Sequence, residues 1–167
     1  NQIENLKLIN VENKRTGIAI YSDKYKKVFF DKNKPSDISN KIHSGTQSFE
    51  FSCDQEKIIT NCGSINYNPG SNPDYLRFSA AHSTIIINNT NISELNEKNG
   101  LRRMPRNITF SEFENDESTI FESSHDGYIN NYGKIVKRKI KIFKKQNKIE
   151  GVDTIFFIKK NNKKNIY

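Results

Sequence analysis

Apolar and polar residues alternate along several short stretches of this chain. From Ser48 the alternation is strict: Phe49, Phe51 and Cys53 fall on one face, and Ser48, Glu50 and Ser52 on the other. A period of two with one apolar face marks a half-buried antiparallel strand. Residues 57–61 read as its hairpin partner, across a turn at Asp54-Gln55-Glu56-Lys57. Residues 134–143 repeat the pattern, with Val136, Ile140 and Ile142 set against Lys137, Lys139 and Lys141, so one face is mostly apolar and the other basic. Residues 108–113 alternate and 119–122 read as their partner, while 17–21, 27–31 and 151–158 read as further strands. Turn and loop chemistry fills the gaps: 22–26, 32–41 around Pro35, 88–106 with Gly100 and Pro105, and His125-Asp126-Gly127-Tyr128. Residues 1–15 are weakly patterned, a lead-in segment or edge strand, and 159–167 form a basic tail with no closing strand or cap. Short strands at roughly 8–12-residue spacing without a helical period predict one domain, an all-β antiparallel β-sandwich.

The stretch 58–89 reads as strand, Gly/Asn/Pro-rich excursion, strand. Arg77-Phe78-Ser79-Ala80-Ala81-His82-Ser83-Thr84 runs into Ile85-Ile86-Ile87. This puts His82 beside small residues at the mouth of a β-branched run, where an imidazole is rigidly placed with room around its ring. The plainer alternative is a half-buried sheet histidine.

The 167 residues suffice for one domain with a real core. Mean hydropathy is −0.80, and much of the polarity is Asn and Lys. The formal net charge of +8 favours polyanions, unless it is simply a solvated Lys-rich surface. No apolar run approaches the ~20 residues of a membrane span. The chain starts at Asn1 rather than Met, so a fragment or processed chain is expected, with any export signal out of view. Cys53 and Cys62 are offset along the expected hairpin, too far for a bridge, which predicts two free, partly buried thiols.

Phosphate loops, C-x-x-C pairs, HExxH and nucleophile elbows are absent. The candidates left are the histidines, Asn61, Arg77 and nearby tyrosines. His43 and His82 precede strands that look like neighbours, so they could converge. Two imidazoles and a third side chain suit zinc, although an amide is a weaker ligand than a carboxylate.

In order along the chain, His43-x-Gly45-x-x-Ser48-Phe49-Glu50, Ile59-Thr60-Asn61-Cys62-Gly63 and Leu76-Arg77-Phe78-Ser79-Ala80-Ala81-His82-Ser83-Thr84 resemble the C-terminal β-sandwich of the heparinase II/III-like family. Ser124-His125-Asp126-Gly127-Tyr128 and the basic strand 137–142 are similar to a bacterial branch of it. The resemblance implies a supersandwich-like fold truncated at its C-terminus, in a polysaccharide lyase that cleaves acidic, uronate-containing glycans by β-elimination. It also implies a bacterial cell-envelope or periplasmic setting. The family's main Tyr/His acid–base pair sits on an N-terminal α/α toroid missing from this chain, which alone would then turn over little. By motif position, His43, Asn61 and His82 match the zinc ligands found in some members, and His43 and His82 are the sandwich's contribution to catalysis. Arg77 matches the Arg that could hold a substrate carboxylate by a bidentate fork, unless it forms a structural ion pair. Tyr67 and Tyr75 could stack on sugar rings, and His125 reads as a surface turn residue. The sequence departs from the family pattern at three places: Lys41 replaces a histidine, Gly45 an aspartate, and Asn61 the zinc aspartate.

Two other classes fit parts of the pattern. A non-catalytic carbohydrate-binding sandwich would bind glycans without needing His43 or His82. A nucleic-acid binder would use the Lys137-Lys139-Lys141 face with a steep salt dependence. The aromatic-interleaved Arg pattern of single-strand binders is missing, so that class ranks last.

Overall fold

The alternating stretches form two stacked antiparallel sheets. The computed structural model describes residues 7–8, 17–35, 42–63, 74–96 and 101–158. In chain order the strands are β1 (Lys7–Leu8), β2 (Ile18–Ser22), β3 (Lys26–Asp31), β4 (Phe49–Cys53), β5 (Glu56–Ile59), β6 (Glu94–Leu95), β7 (Leu101–Arg103), β8 (Ile108–Glu114), β9 (Ser118–Tyr128), β10 (Lys134–Phe143) and β11 (Ile149–Phe157). A four-stranded sheet runs β2-β3-β4-β5, a five-stranded sheet runs β1-β8-β9-β10-β11, and β6-β7 is a small ribbon. The expected all-β antiparallel sandwich is what forms.

The core lies between the two larger sheets. Ala19, Val28, Phe30 and Phe51 meet Phe121, Ile140 and Ile142 there, with Phe110 half-buried against them. Phe30, Phe110 and Phe121 pack as a tilted aromatic trio with centroids 5.8–6.0 Å apart. Along β3 the inward residues Val28 and Phe30 alternate with outward Lys27 and Phe29, as a period of two requires. β10 behaves likewise: Val136, Arg138, Ile140 and Ile142 are buried, while the lysines between them face outward. Lys137 on that basic face pairs with Glu122 across the β9–β10 ladder at 2.7 Å.

Four expectations need correction. The β4–β5 turn is two residues shorter than expected: Asp54 and Gln55 both take positive φ, and Cys53 pairs with Glu56. That is a tight two-residue hairpin turn built without its usual glycine. Both thiols are free as predicted, but Cys62 is exposed rather than partly buried.

Residues 85–87 do not form a strand. Asn88 and Asn89 adopt positive φ, Ile87 bridges back to Thr90, and Tyr128 Oη donates to the Ile85 and Thr90 carbonyls. Asparagine tolerates the left-handed region, so the isoleucine run ends in a minimal turn before a ladder can grow. Ile87 packs instead with Ile92, Tyr128 and Val136 in a second core cluster.

The fourth correction concerns His125-Asp126-Gly127-Tyr128, which continues β9 rather than turning. Asp126 is held by the Arg106 and Asn107 backbone N–H groups at 2.8 and 3.1 Å, which keeps β8 paired up to Ile108↔His125. The chain reverses later, at the one-turn helix α1 (Ile129–Tyr132), where Gly133 takes φ 63°.

Candidate active site

The site sits at one end of the four-stranded sheet, on its outward face. A strap, residues 42–48, crosses from β3 to β4 and meets two 3-10 turns, Asp74–Arg77 and Ser79–Ala81. Serines weld these segments together. Ser44 Oγ and Ser79 Oγ are 2.9 Å apart, Ser79 Oγ donates to the Ser44 carbonyl at 2.7 Å, and the Ser93 N–H donates to Ser44 Oγ at 2.8 Å. Small hydroxyls suit this place because each both donates and accepts.

That weld brings the two histidines into contact. His43 Nδ1 lies 3.2 Å from His82 Nε2, with the rings edge-on at 61°. Gly45 makes the approach possible, since a Cβ there would lie 2.9 Å from His82 Cγ. His82 is not on a strand, as expected, but follows the Ser79–Ala81 turn as its C-cap. Its rigidity comes from its neighbours: the Ser83 N–H donates to Asn61 Oδ1 at 2.9 Å, and the Phe49 N–H donates to Ser83 Oγ at 2.8 Å.

Both imidazoles resist protonation. Burial pulls His82 down to about 4, helped by its neighbour His43 and opposed by a hydrogen bond to the Leu76 backbone. Burial lowers His43 as well, with the Arg77 charge adding to it. In a neutral pair one ring nitrogen donates to the other. With the other His82 nitrogen donating to the Leu76 backbone, the outer His43 nitrogen is left as the lone-pair base.

An open groove of about 840 Å³ borders this pair. Its lining includes Phe29, Asp31, Lys34, Glu50, Asn61 and both histidines. Asn61 ties the floor together, donating from its backbone N–H and its Nδ2 to Glu50 Oε1 at 3.2 and 3.3 Å. The predicted His43, Asn61 and His82 therefore share one groove.

Arg77 does not join them. It is 7% exposed, its Nε donates to the Ile42 carbonyl at 2.9 Å, and it is absent from the groove lining. It braces the strap beside His43. Tyr75 is exposed on the 3-10 turn and also outside the lining, and Tyr67 lies outside the described residues. His125, expected at the surface, is 1% exposed and packs on Tyr128. Asp31 and Glu50 went unsingled in the sequence. The alternation from Ser48 puts Glu50 on the outward face, but nothing along the chain marks that face as a groove.

The sequence model of heparinase II/III-like C-terminal domains matches residues 12–160. The chain belongs to the heparinase II/III-like family. No curated protein and no solved structure gives a match. No helix among the described residues of this heparinase II/III-like domain is long and apolar enough to cross a membrane.

Zinc, implied by the family resemblance, can be tested on the donors present. Two ring nitrogens 3.2 Å apart are spaced about as two ligands of one tetrahedral ion would be. The third position fails the test. Asn61 offers a neutral amide whose oxygen already accepts the Ser83 N–H and whose nitrogen faces Glu50. Among the described residues, no three His, Cys, Asp or Glu side chains converge. The donor set of this heparinase II/III-like domain therefore does not fit a zinc centre.

Proposed function

We propose that this chain is the β-sandwich lobe of a bacterial polysaccharide lyase that cleaves acidic, uronate-containing glycans by β-elimination in the cell envelope or periplasm. The contact between two neutral imidazoles on an open groove carries the reading. In β-elimination a base takes the C5 proton of the uronate, the C5–H electrons form the new C4=C5 double bond, and the C4–O bond breaks with its electrons leaving on the oxygen. The departing oxygen takes a proton from an acid. The His43–His82 pair leaves the outer His43 nitrogen as a free lone pair, the base such a step uses, while the His82 N–H on the Leu76 backbone holds the pair in place. The groove is open on one side, where an N-terminal helical toroid supplying the principal Tyr/His pair would close it.

The test is a panel of heparin-type, alginate and pectate substrates followed by absorbance of the unsaturated product. The chain alone should bind acidic oligosaccharides and turn over little, and His43→Ala or His82→Ala should abolish its contribution when joined to the toroid. Robust turnover by the isolated chain would contradict the split site. A non-catalytic glycan-binding module is the second reading, favoured by the withdrawal of Arg77 from the groove. Under it, binding survives both histidine substitutions.

A further inference from the structure

The groove holds one group that the elimination reading leaves without a role. Asp31 ends β3 and lines the groove with Lys34, His43, Glu50 and His82. Its backbone N–H donates to the Ser48 carbonyl at 2.8 Å, which fixes it beside the strand that carries Glu50. Its Oδ1 accepts the Asn33 N–H at 3.0 Å, and no cation among the described residues pairs with it. A half-buried carboxylate without a counter-charge favours its acid form. Burial accordingly pushes Asp31 up to about 6, with the Asn33 N–H working against it.

Charge in the groove points the same way. With both histidines neutral, Asp31 and Glu50 are each −1 and Lys34 is +1, a balance of −1 that repels a uronate. Protonating Asp31 removes that excess and turns an acceptor into an O–H donor. Arg77, the expected carboxylate clamp, is bonded to the Ile42 carbonyl instead.

We propose that Asp31 in its acid form is a recognition residue of the groove, donating its carboxyl O–H to a carboxylate of the bound glycan. The proposal rests on the reading of the groove as an acidic-glycan site. The proton stays on Asp31, in a short acid–carboxylate hydrogen bond. Only the protonated fraction of the protein is then competent, and apparent affinity scales with that fraction. With a midpoint of about 6, affinity should fall about 20-fold from pH 5.5 to pH 7.5.

Titration calorimetry of the full chain tests this between pH 5 and pH 7.5. The probes are a glucuronate-containing tetrasaccharide and its carboxyl-reduced neutral counterpart. The acidic probe should weaken about 20-fold over the upper two pH units, the neutral probe should show no trend, and Asp31→Asn should flatten the acidic curve. Asparagine keeps an acceptor for the Asn33 N–H, so the variant should fold. The carboxyl carbon shift of Asp31 in the unsubstituted chain provides a second readout, with an expected midpoint near 6. Tight binding of the acidic probe with no pH trend, or an Asp31→Asn curve as steep as the parent's, overturns the role of Asp31 alone. Failure of both probes to bind at every pH overturns the glycan reading and the role of Asp31 together.

Discussion

Arg138 offers the sharpest test of how the two sheets hold the site. It projects from β10 into the sandwich and is 6% exposed. Nε and one terminal nitrogen grip the Asp153 carboxylate at 2.7 and 2.8 Å. The other terminal nitrogen donates to the Gln47 carbonyl at 2.8 Å and to the Ser83 carbonyl. The guanidinium also lies over the Phe49 ring, 5.5 Å from its centroid. It thus clamps the end of the strap and the residue after His82 from the opposite sheet. Arg138→Lys keeps the charge but has no planar fork, and one ammonium cannot meet a carboxylate and two carbonyls in these directions. At least two bonds go. At about 1–2 kcal/mol for each stranded buried group, the loss is about 3 kcal/mol. For a chain of this size that lowers Tm by roughly 6–12 °C. Asp153→Asn is the control. Its side chain is 37% exposed, so water replaces much of what is lost and the cost is about 1 kcal/mol. Urea unfolding gives the energies, and a two-dimensional NMR spectrum reports whether the cross-ring contact of His43 with His82 survives. An Arg138→Lys variant within 1 kcal/mol of the parent, with that contact intact, would refute the clamp. So would an Asp153→Asn variant that costs as much as Arg138→Lys.

Three further outcomes are expected. Asn61→Asp places a carboxylate against Glu50 in the groove that the imidazole pair lines, so it should lose stability without metal and gain zinc affinity, read by thermal shift with and without Zn2+. Gly45→Ala drives a Cβ to within 2.9 Å of His82 Cγ, and should break the imidazole contact while leaving the β10 ladder's hydrogen-exchange protection unchanged. His82 and His125 both sit near 4 when folded, His125 through burial, with Arg138 adding to it and Asp126 opposing it. The unfolded chain therefore takes up these protons first, and stability falls as pH drops from about 6.5 to about 4. Each site contributes about 2 kcal/mol of loss between pH 7 and pH 5, and His125→Phe should remove its share in denaturant titrations at the two pH values.

The strands were legible where one face meets the core and the other meets water. Phe49-Glu50-Phe51 and the Lys-Ile alternation of β10 announce themselves because their two faces differ in chemistry. Ile85-Ile86-Ile87 misled because β-branched residues suit a strand, while two asparagines that accept positive φ closed the turn at once. Asp126-Gly127 misled in the opposite sense, since a local turn signal yielded to the backbone donors of Arg106 and Asn107. Among the groove residues, His43, Asn61 and His82 were singled out by their motifs. Asp31 and Glu50 were not, because an outward carboxylate is unremarkable until a strap and two 3-10 turns wall it in. The burial of Arg77 was equally invisible, since its partner carbonyl at Ile42 lies 35 positions away.

The serine weld bears on how the domain comes into being. Ser44 meets residues 35 and 49 positions further along, and the imidazole contact spans 39. No local segment can pre-form such an arrangement, because closing loops of that length must precede any gain from the contacts. During synthesis or refolding the paired rings therefore arise only once distant parts of the chain have docked, and a ring-to-ring signal would report completion of the native topology rather than collapse.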